Sequence, residues 1–187
     1  MYNVGMQYTD VLDFWFGELT PDDQFSGGAR VDALITERFS DVHAAAVAGE
    51  LADWRENQVG SLAEIIVLDQ FSRNIYRGKR AAFAADEIAL LLAAQAIEKG
   101  FDTALPHDKR LFMYMPYMHS ELPQVHEVAL KIFTDLGDES ALKYEKIHKD
   151  IIDRFGRYPH RNKQLGRENT REEEEYLHST EYGFFNS

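Results

Sequence analysis

The sequence contains no cysteine, so disulfide bonds, thiolate nucleophiles and cysteine-ligated zinc are excluded. Basic residues are also scarce: 20 lysines and arginines face 32 acidic residues, and the net charge is −12. Because a field of that sign repels nucleic acid and anionic lipid, we expect neither as a partner. No apolar run is long enough to cross a bilayer, and residues 1–10 lack the basic and apolar segments of a secretory signal. These absences predict a cytoplasmic protein.

Apolar residues recur with the period of an α-helix through most of the sequence, whereas strand patterns are almost absent. Glycines and prolines fall where these apolar stripes begin or end, namely Gly49, Gly100, Pro106, Pro123, Gly137 and Gly156. Ser61 with Glu64, and Thr170 with Glu173, have the spacing of helix-starting capping boxes. Pro116 is expected to bend or stop the helix that contains it.

The links between the predicted helices are short, which implies antiparallel neighbours. The sequence therefore predicts an all-α fold in which seven or eight helices stack as antiparallel hairpins. No linker rich in proline, glycine or serine divides the chain, so we expect a single domain over residues 1–187. The spacing of the helix pairs is also compatible with a helical-repeat solenoid.

Two stretches, residues 70–85 and 154–167, contain no acidic residue although the chain as a whole is acidic. Both are rich in arginine, whose planar fork pairs bidentately with a carboxylate or a phosphate. The candidate ligand-binding residues are Arg73, Asn74, Arg77, Arg157, Arg161, Asn162 and Arg167. His119 and His160 are the candidate acid–base residues, because histidine titrates near neutral pH. This pattern predicts a local site for a small anionic ligand.

The same arginines also have a purely structural interpretation. Arginine at a helix junction often binds a neighbouring carboxylate and so fastens one helix pair to the next. Asp69, Asp86, Glu87 and Glu121 are available partners for such clamps. The sequence leaves both interpretations open.

His119, Glu121 and His126 suggest a metal-dependent hydrolase, but their spacing does not fit metal binding. Helical ligand pairs usually stand four residues apart, whereas these residues stand two and five apart and Pro123 interrupts them. The chain also has no phosphate-binding glycine loop and no strand to carry a nucleophile elbow. We therefore expect no metal and no cofactor.

Five short segments occur in the order and spacing of one known family. They are Val11–Gly17, Leu68–Asn74, Ala82–Asp86, His119–Glu121 and the run Arg154–Asn162 with Leu165–Arg167. In these segments the chain resembles an uncharacterised, mainly bacterial family known as domain of unknown function 924. The resemblance implies an all-helical fold similar to that of tetratricopeptide-repeat proteins, and it implies no established activity.

The chain departs from the pattern of that family at two places. The family usually has proline where this chain has Ser72. It also usually has an aromatic-rich segment before the second helix, where this chain has only Phe25 within residues 24–28. A function assigned to that region in the family does not transfer to this chain.

Three functional hypotheses follow, and the sequence does not decide whether the protein is an enzyme. The first, on analogy with helical repeats, is a scaffold whose concave face binds a peptide or another protein. The second is a small-molecule site or enzyme in which the arginine-rich stretches bind a phosphate or carboxylate. The third is the metal-dependent hydrolase. The second predicts that folding brings the two acid-free stretches together.

Overall fold

The computed structural model describes residues 5–179, and within them it contains helices and helical turns but no strand. Residues 1–4 and 180–187 lie outside the described residues. The predicted domain 1–187 and the N-terminal segment examined for a secretory signal therefore both include residues that are not described. The all-α prediction is confirmed for the described part of the chain. No helix in that part is long and apolar enough to cross a membrane.

The α-helices are numbered in chain order. They are α1 (Tyr8–Asp13), α2 (Pro21–Phe25), α3 (Ala29–Val47), α4 (Gln58–Ile66), α5 (Ser72–Ile75), α6 (Asp86–Glu98), α7 (His107–Met118), α8 (Pro123–Leu136), α9 (Glu139–Phe155), α10 (Asn162–Leu165) and α11 (Arg171–Leu177). Two π-helical segments occupy Phe14–Glu18 and Val67–Phe71, and 3-10 helices occupy Ala52–Glu56, Arg80–Phe83 and Pro159–Arg161.

The prediction of seven or eight helices is wrong, because the described residues form more of them. Helices α2, α5 and α10 have only five, four and four residues. Such a segment is too short to show an apolar stripe, so periodicity could not detect it. The longer helices α6 to α9 pack each on the next in chain order, as the predicted hairpins require.

The start of α4 corrects one predicted capping box. Asn57 is the N-cap, and its side chain accepts hydrogen bonds from the backbone N–H groups of Val59 and Gly60. The helix therefore begins before Ser61, which lies with Glu64 inside it. By contrast, the box formed by Thr170 and Glu173 at the start of α11 is confirmed.

Pro116 does not stop α7, which continues to Met118. Proline lacks one backbone N–H donor and crowds the preceding turn. The helix nevertheless extends for only two residues beyond it, so little helical structure follows the proline. His119 then lies at the C-terminal end of α7.

The helix that runs through α4, the second π-helical segment and α5 forms the centre of the fold. Every residue from 60 to 72 is buried, as expected of a helix surrounded on all sides. Helices α1, α6 and α7 pack on α4, and α3 packs on the π-helical segment. Phe14 and Trp15, from the first π-helical segment, contact Phe71 with ring centroids 6.2 and 5.7 Å apart. This central helix also carries Asp69 and Arg73 into the interior.

Candidate functional site

Five ionisable side chains meet where the central helix approaches the ends of several other helices. They are Asp69 in the π-helical segment, Arg73 in α5, Asp86 at the start of α6, His119 at the end of α7 and Arg161 in the 3-10 helix after α9. We call these five residues the central charge cluster. Four segments that are far apart in sequence contribute to it.

The position of Asp69 depends on the local backbone. Asp69 lies in the middle of the π-helical segment Val67–Phe71, and single π turns within α-helices often occur at functional sites. Its carboxylate is 1% exposed and accepts a hydrogen bond of 2.7 Å from the side chain of Gln70. A carboxylate is costly to bury unless it is paired, so its partners account for its presence here.

His119 is one of those partners. Its Nδ1 atom lies 2.8 and 3.0 Å from the two carboxylate oxygens of Asp69. An ionised Asp69 can only accept, so Nδ1 carries the proton and Nε2 carries the lone pair. Within residues 5–179 no group forms a hydrogen bond with Nε2, and this atom is not among the fully buried unpaired atoms. The side chain of His119 is 13% exposed, so the imidazole is not completely enclosed.

The electrostatic surroundings keep this pair in one protonation state. Burial opposes ionisation of Asp69, but the positive charge of Arg73 and the contact with His119 outweigh it and lower the pKa of the carboxyl to about 2. Burial and then the charge of Arg73 lower the pKa of His119, and Asp69 opposes both effects. At neutral pH the pair is therefore a carboxylate and an uncharged imidazole.

Asp86 bridges the two acid-free stretches. Its carboxylate accepts hydrogen bonds of 3.0 and 3.1 Å from Arg73 and one of 3.2 Å from Arg161. Arg73 also donates to the backbone oxygen of Asp69 at 2.8 Å. One carboxylate is thus shared by two guanidinium groups, one from each stretch.

Arg161 is buried, with an exposure of 6%, and lies between two aromatic rings. Its guanidinium carbon lies 4.7 Å from the ring centre of Phe83 and 4.5 Å from that of Tyr158. One terminal nitrogen donates to the backbone oxygen of His119 at 3.0 Å, whereas Nε is buried and has no hydrogen-bond partner in the described part of the chain. Burial and then the charge of Arg73 lower the pKa of Arg161, so its positive charge is incompletely compensated.

The other candidate residues of the first stretch lie elsewhere. Arg77 donates two hydrogen bonds of 2.6 and 2.8 Å to Asp32 of α3, and Asn74 donates one of 2.9 Å to the same carboxylate. These contacts fasten α5 to α3 and are partly exposed. The structure therefore separates Arg77 and Asn74 from Arg73, although all three belong to one stretch.

The remaining arginines of the second stretch also form ion pairs. Arg157 binds Glu173 at 2.6 and 2.8 Å. Arg167 binds Glu121 at 2.7 and 2.9 Å and donates to the side chain of Asn162 at 2.8 Å. These contacts fasten the C-terminal segment to the body of the fold. They match the structural interpretation of the two stretches, whereas Arg73 and Arg161 are also brought together.

His160 lies at the edge of the cluster, beside Tyr158, with ring centres 5.5 Å apart. His148 approaches the same tyrosine at 5.6 Å. Burial, followed by the charge of Arg161, lowers the pKa of His160 to about 3, and burial lowers that of His148 to about 3. Both imidazoles are therefore uncharged at neutral pH.

The residues considered for a metal do not form a metal site. Glu121 accepts a hydrogen bond from Arg167, and Nδ1 of His126 lies 2.8 Å from a carboxylate oxygen of Glu145. Within residues 5–179 no group of three or more histidines and carboxylates is arranged to hold a metal ion. His119 has Asp69 as its partner instead.

Phe83 and Tyr158, the two rings that enclose the guanidinium group of Arg161, are not among the site residues predicted from the sequence. A signal was present, because Tyr158 precedes Arg161 by three residues and Phe83 precedes Asp86 by three. Residues at that spacing lie on the same side of a helical turn. The sequence thus shows an aromatic residue near Arg161 and another near Asp86. It does not show that the fold brings both rings to the same guanidinium group.

The fold and the cluster together define an all-helical protein that assembles charged groups from four separate motifs at one point. The chain belongs to the family described as bacterial protein of unknown function (DUF924), which matches residues 11–181. Its fold is similar to that of a protein of unknown function from Agrobacterium tumefaciens, with a TM-score of 0.87 and 40% sequence identity over 91% of this chain and 96% of the other. No curated protein matches.

Proposed function

We propose that the protein binds a small organic anion at the central charge cluster and exchanges a proton with it through His119. The main evidence is the hydrogen-bonded pair of Asp69 and His119, in which the Nε2 atom of His119 has no hydrogen-bond partner among residues 5–179. A histidine that is oriented by a buried carboxylate and left uncharged is suited to act as a general base.

The incompletely compensated charge of Arg161 supports an anionic ligand. Arg161 is buried, and among residues 5–179 its Nε has no hydrogen-bond partner and its one carboxylate partner, Asp86, is shared with Arg73. An additional negative charge would relieve the repulsion between the two guanidinium groups, because charge interactions are strong where water is excluded. Arg73 and Arg161 would therefore bind the ligand, and His119 would face its reacting part.

The convergence of motifs gives independent support. Of the five segments that carry the family resemblance, four contribute side chains to the cluster or to its aromatic walls. The first segment packs on Phe71 in the core instead. A structural clamp needs one arginine and one carboxylate, so a clamp alone does not account for a histidine with a free nitrogen at the same place.

The other functional predictions have weaker support. A peptide-binding scaffold and a cytoplasmic location follow from the fold class and the composition, and a tetratricopeptide-repeat-like arrangement follows from the family resemblance. No particular surface of the described residues favours them. The metal-dependent hydrolase lacks a suitable ligand set within residues 5–179.

A stability-shift screen with carboxylic acids and phosphorylated metabolites tests the proposal. A ligand that binds only the native state raises the unfolding midpoint. We expect hits among the anions, and we expect Arg161→Gln to weaken their binding by at least about thirtyfold, since truncating one partner of a buried charge pair costs about 2 kcal/mol or more. Arg171→Gln is the matched control, because the Arg171 side chain is 92% exposed.

The comparison uses ligand-induced shifts, so a lower basal midpoint of the Arg161 variant does not disturb it. A screen without any hit, or hits that bind Arg161→Gln as tightly as the unaltered protein, would contradict the proposed anion site. If Arg171→Gln weakened the binding of the hits as much as Arg161→Gln does, the ligands would bind to surface charge.

A further inference from the structure

Asp86 is held less tightly than the carboxylates of the neighbouring ion pairs. Its three hydrogen bonds to Arg73 and Arg161 measure 3.0, 3.1 and 3.2 Å. The hydrogen bonds of Glu173 with Arg157 measure 2.6 and 2.8 Å. Hydrogen bonds between charged groups are usually about 2.7–2.9 Å long, so those of Asp86 are longer than usual. Asp86 thus lies between two guanidinium groups without the short contacts seen at Glu173.

We infer that Asp86 is an internal stand-in for the ligand, and that the ligand is a carboxylic acid whose carboxylate displaces it from the two guanidinium groups. The inference rests on the proposed function for the existence of a ligand, and it adds the ligand class and the residue that competes with it. A planar carboxylate already bridges Arg73 and Arg161, so the place accepts that shape.

The two arginines keep their positions when Asp86 leaves. Arg73 remains bonded to the backbone oxygen of Asp69 at 2.8 Å and lies 2.9 Å from its carboxylate. Arg161 remains bonded to the backbone oxygen of His119 and enclosed by Phe83 and Tyr158. A place that is preorganised in this way binds a ligand without the cost of ordering its side chains.

The side chain of Asp86 also has an alternative position at the start of α6. It is the first residue of α6, whose N-cap, Ala85, provides no side-chain hydrogen bond to the free N–H groups of the first turn. A negative charge near a helix N-terminus is stabilised, and Asp86 is already 15% exposed. Movement of its side chain toward those N–H groups would release the guanidinium groups without burying an unpaired charge.

The geometry further defines what the ligand carries. Arg161 donates to the backbone oxygen of His119, so a carboxylate between Arg161 and Arg73 lies next to the residue whose Nε2 is free. The part of the ligand attached to its carboxylate would therefore face His119. This arrangement suits a compact carboxylic acid in which the proton to be transferred lies close to the carboxylate.

Chemical rescue of Asp86→Ala tests the inference without the natural ligand. Acetate or formate should fill the space left by the side chain and raise the unfolding midpoint by about 3–8 °C relative to chloride at equal ionic strength. Asp32→Ala is the matched control, because Asp32 is 18% exposed and pairs with one arginine rather than two. We expect no such rise in Asp32→Ala or in the unaltered protein.

Asp86→Asn provides a second variant of nearly unchanged shape in case Asp86→Ala does not fold, and it should show a smaller rise with the same anions. Equal responses of the Asp86 and Asp32 variants would overturn the inference, as would a larger rise with phosphate than with acetate. If acetate or formate stabilised Asp86→Ala but the screen found no ligand, Arg73 and Arg161 would still form a carboxylate-binding position, and the proposed function would be rejected. Screen hits lost in Arg161→Gln, without rescue, would retain the function and reject the displacement of Asp86.

Discussion

Replacement of Asp69 by asparagine is expected to lower the free energy of unfolding by about 3–5 kcal/mol, measured by urea denaturation at pH 7. The substitution keeps the shape of the side chain but removes a 1% exposed negative charge that faces Arg73 and His119. Breaking a buried ion pair from one side costs this much because the remaining charge stays buried without its partner. Arg73 would be left with Asp86, which it shares with Arg161.

Asp32→Asn is the control for this experiment. Asp32 also accepts two hydrogen bonds from an arginine, but that arginine is 52% exposed, so water can replace the lost contacts. We expect a cost of about 1 kcal/mol, as for other partly exposed pairs. A cost for Asp69→Asn no larger than that for Asp32→Asn would show that the charge of Asp69 is not needed where it lies.

Glu173→Gln is expected to destabilise the protein by about 2–3 kcal/mol at pH 7 and by only about 1 kcal/mol at pH 3. The hydrogen bond from Arg157 is the largest cause that lowers the pKa of Glu173, and the backbone N–H of Thr170 adds to it, so that the pKa is about 2 in place of the ordinary 4.5. A carboxyl with a lowered pKa stabilises the native state above its unfolded pKa, and this stabilisation is lost as the pH falls toward its folded pKa. Denaturant unfolding at the two pH values measures the difference.

Glu172→Gln is the matched control on the same helix. Glu172 pairs with Arg154 at 2.8 Å, but its side chain is 59% exposed. Such surface pairs contribute little, so we expect a change within about 0.5 kcal/mol at both pH values. If Glu173→Gln cost the same at pH 3 as at pH 7, ionisation of Glu173 would not be the source of its contribution.

The helices that the sequence predicts well are long and bounded by clear signals. Gly156, which follows an apolar stripe in the sequence, ends α9 with a positive φ of 67°, as Gly137 ends α8 with 76°. Such features depend on neighbours within a few residues and can be read locally. The sequence predicts the start of α4 wrongly, because Asn57 and Ser61 can both cap a helix and it is Asn57 that accepts from two backbone N–H groups.

The site could be predicted only in part, since its pairings are not local. The acid-free stretches indicated Arg73 and Arg161, which do meet, but also Arg77 and Arg157, which do not join them. The partner of Arg161 is Asp86, which lies 75 residues earlier in the chain. Only the packing of the helices decides which carboxylate reaches which arginine, and no spacing in the sequence contains that information.

The departure at Ser72 shows how one local change is accommodated. Where the resemblance implies proline, the hydroxyl of Ser72 donates to the backbone oxygen of Leu68 at 2.6 Å and lies 2.7 Å from Nε2 of His43. Both side chains are buried, so each satisfies a polar group that would otherwise lack a partner. Ser72 directly precedes Arg73 in sequence, but the pair of Ser72 and His43 is not part of the central charge cluster.

The most direct measurement follows the imidazole nitrogens of His119 by NMR in isotope-labelled protein at pH 7, during titration with the strongest carboxylic acid found by screening. Before addition, Nδ1 should carry the proton and Nε2 should be bare. Saturation should shift the Nε2 signal of His119 and leave that of His107, whose side chain is 55% exposed, unchanged. A proton found on Nε2 at the start, or an unaltered His119 signal while the ligand binds, would contradict a proton-accepting histidine in the anion site.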